Sequence, residues 1–337
     1  MRIFSGIQPT GRKHLGNYIG AITQYVAGQD RGEAIYCVVD LHALTVPYEP
    51  ERLRDAVYDT AATLLAAGLD PERCIFFRQS DVVEHPELTW LLMGVTSYGD
   101  LTRMTQFKDK TGHARDLATA GLFNYPVLMA ADVLAYRANE VPVGDDQRQH
   151  VELMRDIAVQ FNARFGDTLV VPEVRIPEVG ARIMDLKSPD RKMSTTSGNP
   201  AGTVYVTDEP DAIARKFRSA VTDTGSEVRQ ATDKPGISNL IDVLAAVRGV
   251  SPEAIEREFE GSQYGPFKTA VAEAVIDYLA PVRERYDALR ADEAGLESAL
   301  ALGAAKAQAI AAETVADVRA VMGVGPRVPA VEAAARG

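Results

Sequence analysis

His14 and Asn17 stand three residues apart, behind a turn that carries Gly6 and Gly11 and beside Gly16. Residues at that spacing share a helical face. An imidazole and a carboxamide could therefore meet one ligand at the start of a helix. Glycines let the backbone bend tightly and approach a ligand closely. A helix N-terminus carries partial positive charge that suits a polyphosphate. The spacing is not G-x-G-x-x-G, which disfavours a nicotinamide-type site. A glycine-rich turn with a capping polar group accounts for the same residues without any ligand.

Three further clusters could do chemistry. Lys192-Met193-Ser194-Thr195-Thr196 lies in a polar loop spanning 185–203. Its lysine could stabilise charge developing on a phosphate, although alone it also reads as a solvated loop. Asp132 sits in the apolar stretch Tyr125–Asp132. A carboxylate there is costly unless it is paired, and a structural ion pair is the plain reading. Val141-Pro142-Val143-Gly144-Asp145-Asp146-Gln147 ends a strand and opens a helix. Gly144 permits close approach, and Asp146 and Gln147 could hold ribose hydroxyls and an ammonium. An acidic pair at a helix start could equally complement the dipole. His42 follows the strand end Val39-Asp40, where a pocket residue belongs, though a lone histidine is more often structural. His85, His113 and His150 show no metal-ligand spacing, so no metal site is assigned. Trp90, the only tryptophan, reads as packing inside a helical segment.

The elements that must position these groups alternate in the first half. Arg2–Ser5, Glu33–Val39 and Cys74–Gln79 read as strands, and about Gly16–Gly28 and Glu51–Gly68 as helices. Strand, helix, strand, helix, strand implies an α/β fold with a doubly wound parallel sheet and right-handed crossovers. Ligands of such sheets bind outside the carboxyl ends of the strands, where Ser5, Asp40 and Ser80 fall. Residues 85–137 read as a helical insertion. A strand at Glu140–Val143 and a helix to about Arg164 follow, then short extended runs over 168–184. From Asp211 to Met322 the pattern is amphipathic helix: Pro210–Ala220, Ile237–Arg248, Pro252–Phe259, Pro266–Leu289 and Glu297–Val321. The division expected is 1–204, 205–325 and a tail over 326–337.

Composition is that of a globular chain of 337 residues, 46% hydrophobic and 25% charged. The net charge of -11 rules out a global positive field for nucleic acid. Any such contact must come from local basic patches. Cys37 and Cys74 lie in apolar runs, which points to a reducing compartment rather than a disulfide framework. The start of the chain lacks the pattern of a signal peptide, and no apolar run is long enough to span a bilayer. A cytoplasmic protein without a membrane partner is expected.

His14-Leu15-Gly16-Asn17 resembles the HIGH signature of class I aminoacyl-tRNA synthetases. The preceding Gly-Ile-Gln-Pro-Thr-Gly is similar to the tryptophanyl branch of that family, which also carries Asn in the last HIGH position. Lys192–Thr196 resembles the second signature, KMSKS, with Thr195 in place of the second lysine and Thr196 in place of the last serine. The likeness runs from about Arg2 to about Gly325. It includes the stretches Ser219–Asp223 and Lys234–Leu240.

That resemblance implies a Rossmann-like catalytic domain, a helical anticodon-binding domain and a homodimer. It implies activation of L-tryptophan by ATP with Mg2+, then transfer to tRNA(Trp), with no DNA partner. His14, Asn17, Lys110 and Lys192 would be catalytic. ATP would meet Gln8, Pro9, Thr10, Gly16, Asn17, Gly144, Asp145, Asp146, the backbone of Ile183, and Lys192, Met193, Ser194, Thr195 and Thr196. Tryptophan would meet Phe4, His42, Tyr125, Met129, Val141, Val143 and Gln147, with Asp132 accepting the indole N–H. Arg191, Lys187 or Arg182 could compensate for the missing loop lysine. The rivals are a tyrosyl enzyme and a weakly active synthetase-like binding protein. The reading requires the glycine turn, Asp132 and the lysine loop to converge on one cavity at the rim of the sheet.

Overall fold

The computed structural model describes residues 1–104, 119–144, 147–175, 182–194 and 199–325. Among the described residues, five strands form one sheet: β1 (Arg2–Ile7), β2 (Glu33–Val38), β3 (Ile75–Arg78), β4 (Glu140–Pro142) and β5 (Glu173–Arg175). The order is β3-β2-β1-β4-β5, and every pairing is parallel. The chain builds outward from β1 to β3 and then returns to the other side of β1. The β1–β4 gap is therefore the switch point, where such sheets open a crevice.

Alternation along the strands feeds two cores. Tyr36, Val38 and Phe76 join one buried cluster, while Ile35, Cys37 and Phe77 join the other. Both faces are covered, so β2 reads as a continuous apolar run. Both cysteines are free and buried.

On one face lie α3 (Pro50–Ala67) and the long α11 (Tyr264–Ala291). Pro50 supplies a preset first turn for α3, and Gly68 ends it at φ 116°. On the other face lie α4 (Glu84–Met93), α5 (Tyr98–Arg103), α6 (Ala120–Leu134) and α7 (Arg148–Phe165). α8 (Pro210–Arg218), α9 (Pro235–Arg248) and α10 (Pro252–Glu258) precede α11. The last described helix, α12 (Glu293–Met322), lies directly on β3. Gly303 permits this, because a Cβ there would sit 1.7 Å from the Phe76 carbonyl oxygen. Ile237, Leu244, Phe267 and Val275 share a core with Ile7 and Leu64, so the C-terminal helices are continuous with the sheet's packing.

Two expectations change. The first helix is not uniform: α1 (Leu15–Asn17) widens into a π segment (Tyr18–Ile22) before α2 (Thr23–Gly28). The Thr23 N–H reaches back to the Tyr18 carbonyl, and its hydroxyl donates to Ile19 at 2.8 Å. Such π bulges concentrate at functional sites. Trp90 is not core packing, since it is 74% exposed on α4. Its helix buries Leu88, Leu91 and Leu92 instead. Among the described residues, no helix is long and apolar enough to cross a membrane.

Candidate active site

A cavity of about 390 Å3 opens at the carboxyl ends of β1 and β4. Its size is that of a small-molecule pocket. Phe4, Gly6 and Gln8 line it from β1 and the turn beyond. Val39, His42 and Thr45 come from the segment after β2, and Tyr125, Met129 and Asp132 from α6. Val141, Val143, Gly144 and Gln147 complete it from β4 and the start of α7. The lining mixes apolar side chains with polar ones, Gln8, His42, Thr45, Asp132 and Gln147, contributed by different elements.

Asp132 is the buried carboxylate of that lining. It is 2% exposed on a helix that is apolar nearly all round. His42 Nε2 lies 2.8 Å from Asp132 Oδ2. Gln79 Nε2 and His85 Nδ1 each lie 2.6 Å from Oδ1. The far nitrogen of His85, Nε2, is 2.7 Å from the Tyr136 hydroxyl. Burial alone would raise the carboxyl pKa, but the hydrogen bonds from His42 and His85 outweigh it. The group is held well below the usual carboxylate range and is ionised. Both imidazoles must then present N–H to it, and the far nitrogen of His85 pairs with the Tyr136 hydroxyl. Oδ2 takes one bond, from His42, and a carboxylate oxygen can accept two. An acceptor position is therefore left for a ligand N–H. Nearby, the Tyr125 hydroxyl lies 2.8 Å from His150 Nε2. Burial pushes Tyr125 up to about 12, so it stays neutral.

A second group sits beside the first strand's turn. His14 caps α1: its Nδ1 accepts from the Asn17 N–H at 3.1 Å, and Asn17 Oδ1 accepts from the His14 N–H at 3.2 Å. The capping reading is thus satisfied by the same two residues that could serve a ligand. With Nδ1 occupied as an acceptor, His14 has only Nε2–H to offer. Burial, then the positive charges of Lys192 and Lys13, lower its pKa to about 4. His14 is therefore neutral, and Lys192 is close enough to repel its proton. Lys13 donates to the carbonyls of Gln8 at 2.9 Å and Thr10 at 3.4 Å, fastening the glycine turn. Burial lowers Lys13 to about 8, against an opposing pull from Asp59.

Gly16 links this turn to the lysine loop. A Cβ at Gly16 would lie 3.1 Å from the His14 ring and 3.4 Å from Ile183 Cβ. Ile183 accepts from the Met193 N–H at 3.1 Å, and Met184 forms an antiparallel bridge with Lys192. Ile183 and Met193 are each 2% exposed, with their side chains in the core. Lys192 is exposed, Ser194 half-buried, Pro9 buried and Thr10 exposed.

Asp132 and the glycine turn share the cavity, whereas Lys192 is not among its lining residues and approaches through His14. Lys110, Asp145, Asp146, Thr195 and Thr196 lie outside the described residues. Sequence reasoning missed Gln79 and His85 as partners of Asp132, and Tyr136 as the partner of His85. A signal existed for the first two. Gln79 falls just past β3 at the sheet's rim, and His85 is a polar residue at the start of an apolar helix.

These features define a class. The sequence matches the family model for tRNA synthetases class I (W and Y) over residues 1–280. The chain belongs to that family. Tryptophan–tRNA ligase 2 of Streptomyces avermitilis is 51% identical over 316 residues, covering 93% of this chain and 94% of that relative. Tryptophan–tRNA ligase of Mycobacterium leprae is 48% identical, covering 97% of each chain. The crystal structure of tryptophanyl-tRNA synthetase from Campylobacter jejuni, complexed with ADP and tryptophan, superposes with a TM-score of 0.84 at 33% identity. It covers 96% of this chain and 100% of its own.

Proposed function

We infer that this chain is a tryptophan–tRNA ligase, which activates L-tryptophan with ATP and transfers it to tRNA(Trp). The observation that carries the substrate assignment is a buried, ionised Asp132 on the wall of a cavity of about 390 Å3. The indole N–H is the one polar group on tryptophan's side chain, and Asp132 Oδ2 is its acceptor. Phenylalanine would leave that carboxylate unpaired, which is the stronger kind of discrimination. Phe4, Met129, Val141 and Val143 supply the flat apolar walls. Tyr125, Gln147 and His42 complete the amino-acid subsite.

The first step joins the tryptophan carboxylate to the α-phosphate and releases pyrophosphate. The second joins the acyl group to the terminal 2′-OH of tRNA and releases AMP. No side chain becomes a covalent nucleophile. His14 donates through Nε2, Asn17 holds His14 in that orientation, and Lys192 meets the charge growing on the leaving pyrophosphate. This is catalysis by positioning and preorganised charge. Gln8, Pro9, Thr10, Gly16, Gly144 and the backbones of Ile183 and Met193 form the ATP bed. ADP in the Campylobacter structure supports it. Lys110, Asp145, Asp146, Ser194, Thr195 and Thr196 are proposed to complete it. Mg2+ arrives on the ATP phosphates as part of the substrate.

Residues 1–204 would form the catalytic unit and 205–325 the part that reads the anticodon, in a homodimer. A cytoplasmic location is supported by two buried, unpaired thiols. Pyrophosphate exchange with tryptophan and tyrosine side by side tests the reading. Exchange with tryptophan alone is expected. Exchange with tyrosine alone would replace it with the tyrosyl assignment. Binding without exchange would favour the inactive relative that Thr195 allows.

A further inference from the structure

Two stretches with no role so far, Ser219–Asp223 and Lys234–Leu240, meet at the base of the lysine loop. Asn239 is 3% exposed on α9. Its Oδ1 accepts from the Met184 N–H at 2.8 Å, and its Nδ2 donates to the Met184 carbonyl at 3.0 Å. One side chain thus satisfies both backbone groups of one residue. Met184 is the residue whose strand bridges Lys192. On one side of it, Ile183 accepts from Met193 and packs on Gly16. On the other, the Asp185 N–H donates to the Arg191 carbonyl at 2.8 Å. Two residues on, the Val221 N–H donates to the Leu186 carbonyl at 2.8 Å. Gly236 lets α9 start against that segment, because a Cβ there would lie 2.1 Å from the Val221 carbonyl oxygen.

The loop's base is therefore gripped from the helical C-terminal region, not only from the sheet. An amide that donates and accepts at once fixes both the position and the rotation of the Met184 peptide groups. Leucine or alanine would leave two part-buried backbone groups without their side-chain partner. We propose that Asn239 is a positioning residue for Lys192, and that α9 sets where the loop lysine stands relative to His14. This deepens the functional reading above and rests on it for the role of Lys192.

Asn239→Ala and Lys192→Ala, singly and together, test it by tryptophan-dependent pyrophosphate exchange. Misplacing a catalytic group by about 1 Å costs up to about 100-fold, so Asn239→Ala is expected to lower kcat by about 10- to 100-fold. The KM for tryptophan stays unchanged, because Asp132 is untouched. In the Lys192→Ala background the same change adds no further loss, as for residues acting through one group. Additive losses, or a raised tryptophan KM, would reduce Asn239 to a packing residue. A second readout needs neither ATP nor amino acid. Trypsin should cut after Arg191 and Lys192 faster in Asn239→Ala than in the parent, well below the melting point. Unchanged cutting overturns the proposal whatever the enzyme's substrate proves to be. If the alanine variant does not fold, Asn239→Asp keeps the volume and the bond from Met184 N–H but sets an anion against the Met184 carbonyl. It should show the same loss of kcat and the same faster cutting, and parent-like behaviour in both counts against the inference. Exchange with tyrosine in the parent enzyme would instead sink the functional reading and leave the cutting result standing.

Discussion

His85 Nδ1 lies 2.6 Å from Asp132 Oδ1, and the two side chains are 0% and 3% exposed. A buried carboxylate survives as an anion only when hydrogen bonds replace its water. Here His85 supplies one of them, and Tyr136 orients His85 from behind.

His85→Phe removes that donor and leaves the Tyr136 hydroxyl without its partner. Breaking a buried, charge-assisted hydrogen bond costs about 2–3 kcal/mol. A loss of unfolding free energy of that size, seen as a lower denaturation midpoint, is expected together with a higher tryptophan KM. An unchanged midpoint would mean that His42 and Gln79 suffice to hold the anion.

Asp132→Asn keeps the shape of the site but weakens its acceptor. A hydrogen bond to a charged group contributes about 1.5–3 kcal/mol, so kcat/KM for tryptophan should fall about 10- to 100-fold. The KM for ATP should hold. Steady-state exchange kinetics with each substrate varied in turn measure both, and equal losses for the two would contradict an indole-specific role.

His14 gives a pH dependence whose sign follows from its pKa of about 4 against an ordinary 6.5. Between those values the unfolded chain takes a proton that the folded one refuses. This contribution to stability is complete above pH 6.5 and is lost as pH falls toward about 4. His14→Gln removes it. Urea unfolding at about pH 7 and about pH 5 should show the parent losing more stability than the variant on acidification. Parallel losses would show that His14 titrates normally.

Thr195→Lys restores the second lysine of the loop signature. Of the groups that could already compensate, the Lys187 ammonium is tied to the Ser219 carbonyl. Arg191 is 78% exposed and Arg182 is exposed as well. If a guanidinium fills the role, Thr195→Lys changes the exchange rate by less than about threefold, while Arg191→Ala lowers it about tenfold, as loss of a charge-assisted contact should. A tenfold rise in Thr195→Lys would show that the missing lysine is not replaced.

Much of the framework was legible in the sequence. Glu33–Val39 read as a buried strand because both its faces are apolar, and the structure pairs Glu33–Val38 with β1 and the last four of those residues with β3. The helix before Gly68 and the run of C-terminal helices follow from periodicity and caps that act over a few residues. The break of the first helix into a π segment was not legible, since it depends on which carbonyl the Thr23 N–H reaches. Trp90 shows the same limit: an apolar residue in an apolar helix reads as core, and only the neighbours decide which side faces out.

Local chemistry was written in residue types. Spacing alone placed His14 and Asn17 on one turn, and an apolar run made Asp132 a carboxylate in need of partners. Which partners it takes was a tertiary matter, because Gln79, His85 and His42 reach it across 53, 47 and 90 residues. The chain code specifies what each group can donate or accept within a few bonds' reach. Whether a donor 90 residues away arrives at 2.8 Å is settled by how the sheet and helices pack, since the packing of whole elements sets those long-range distances.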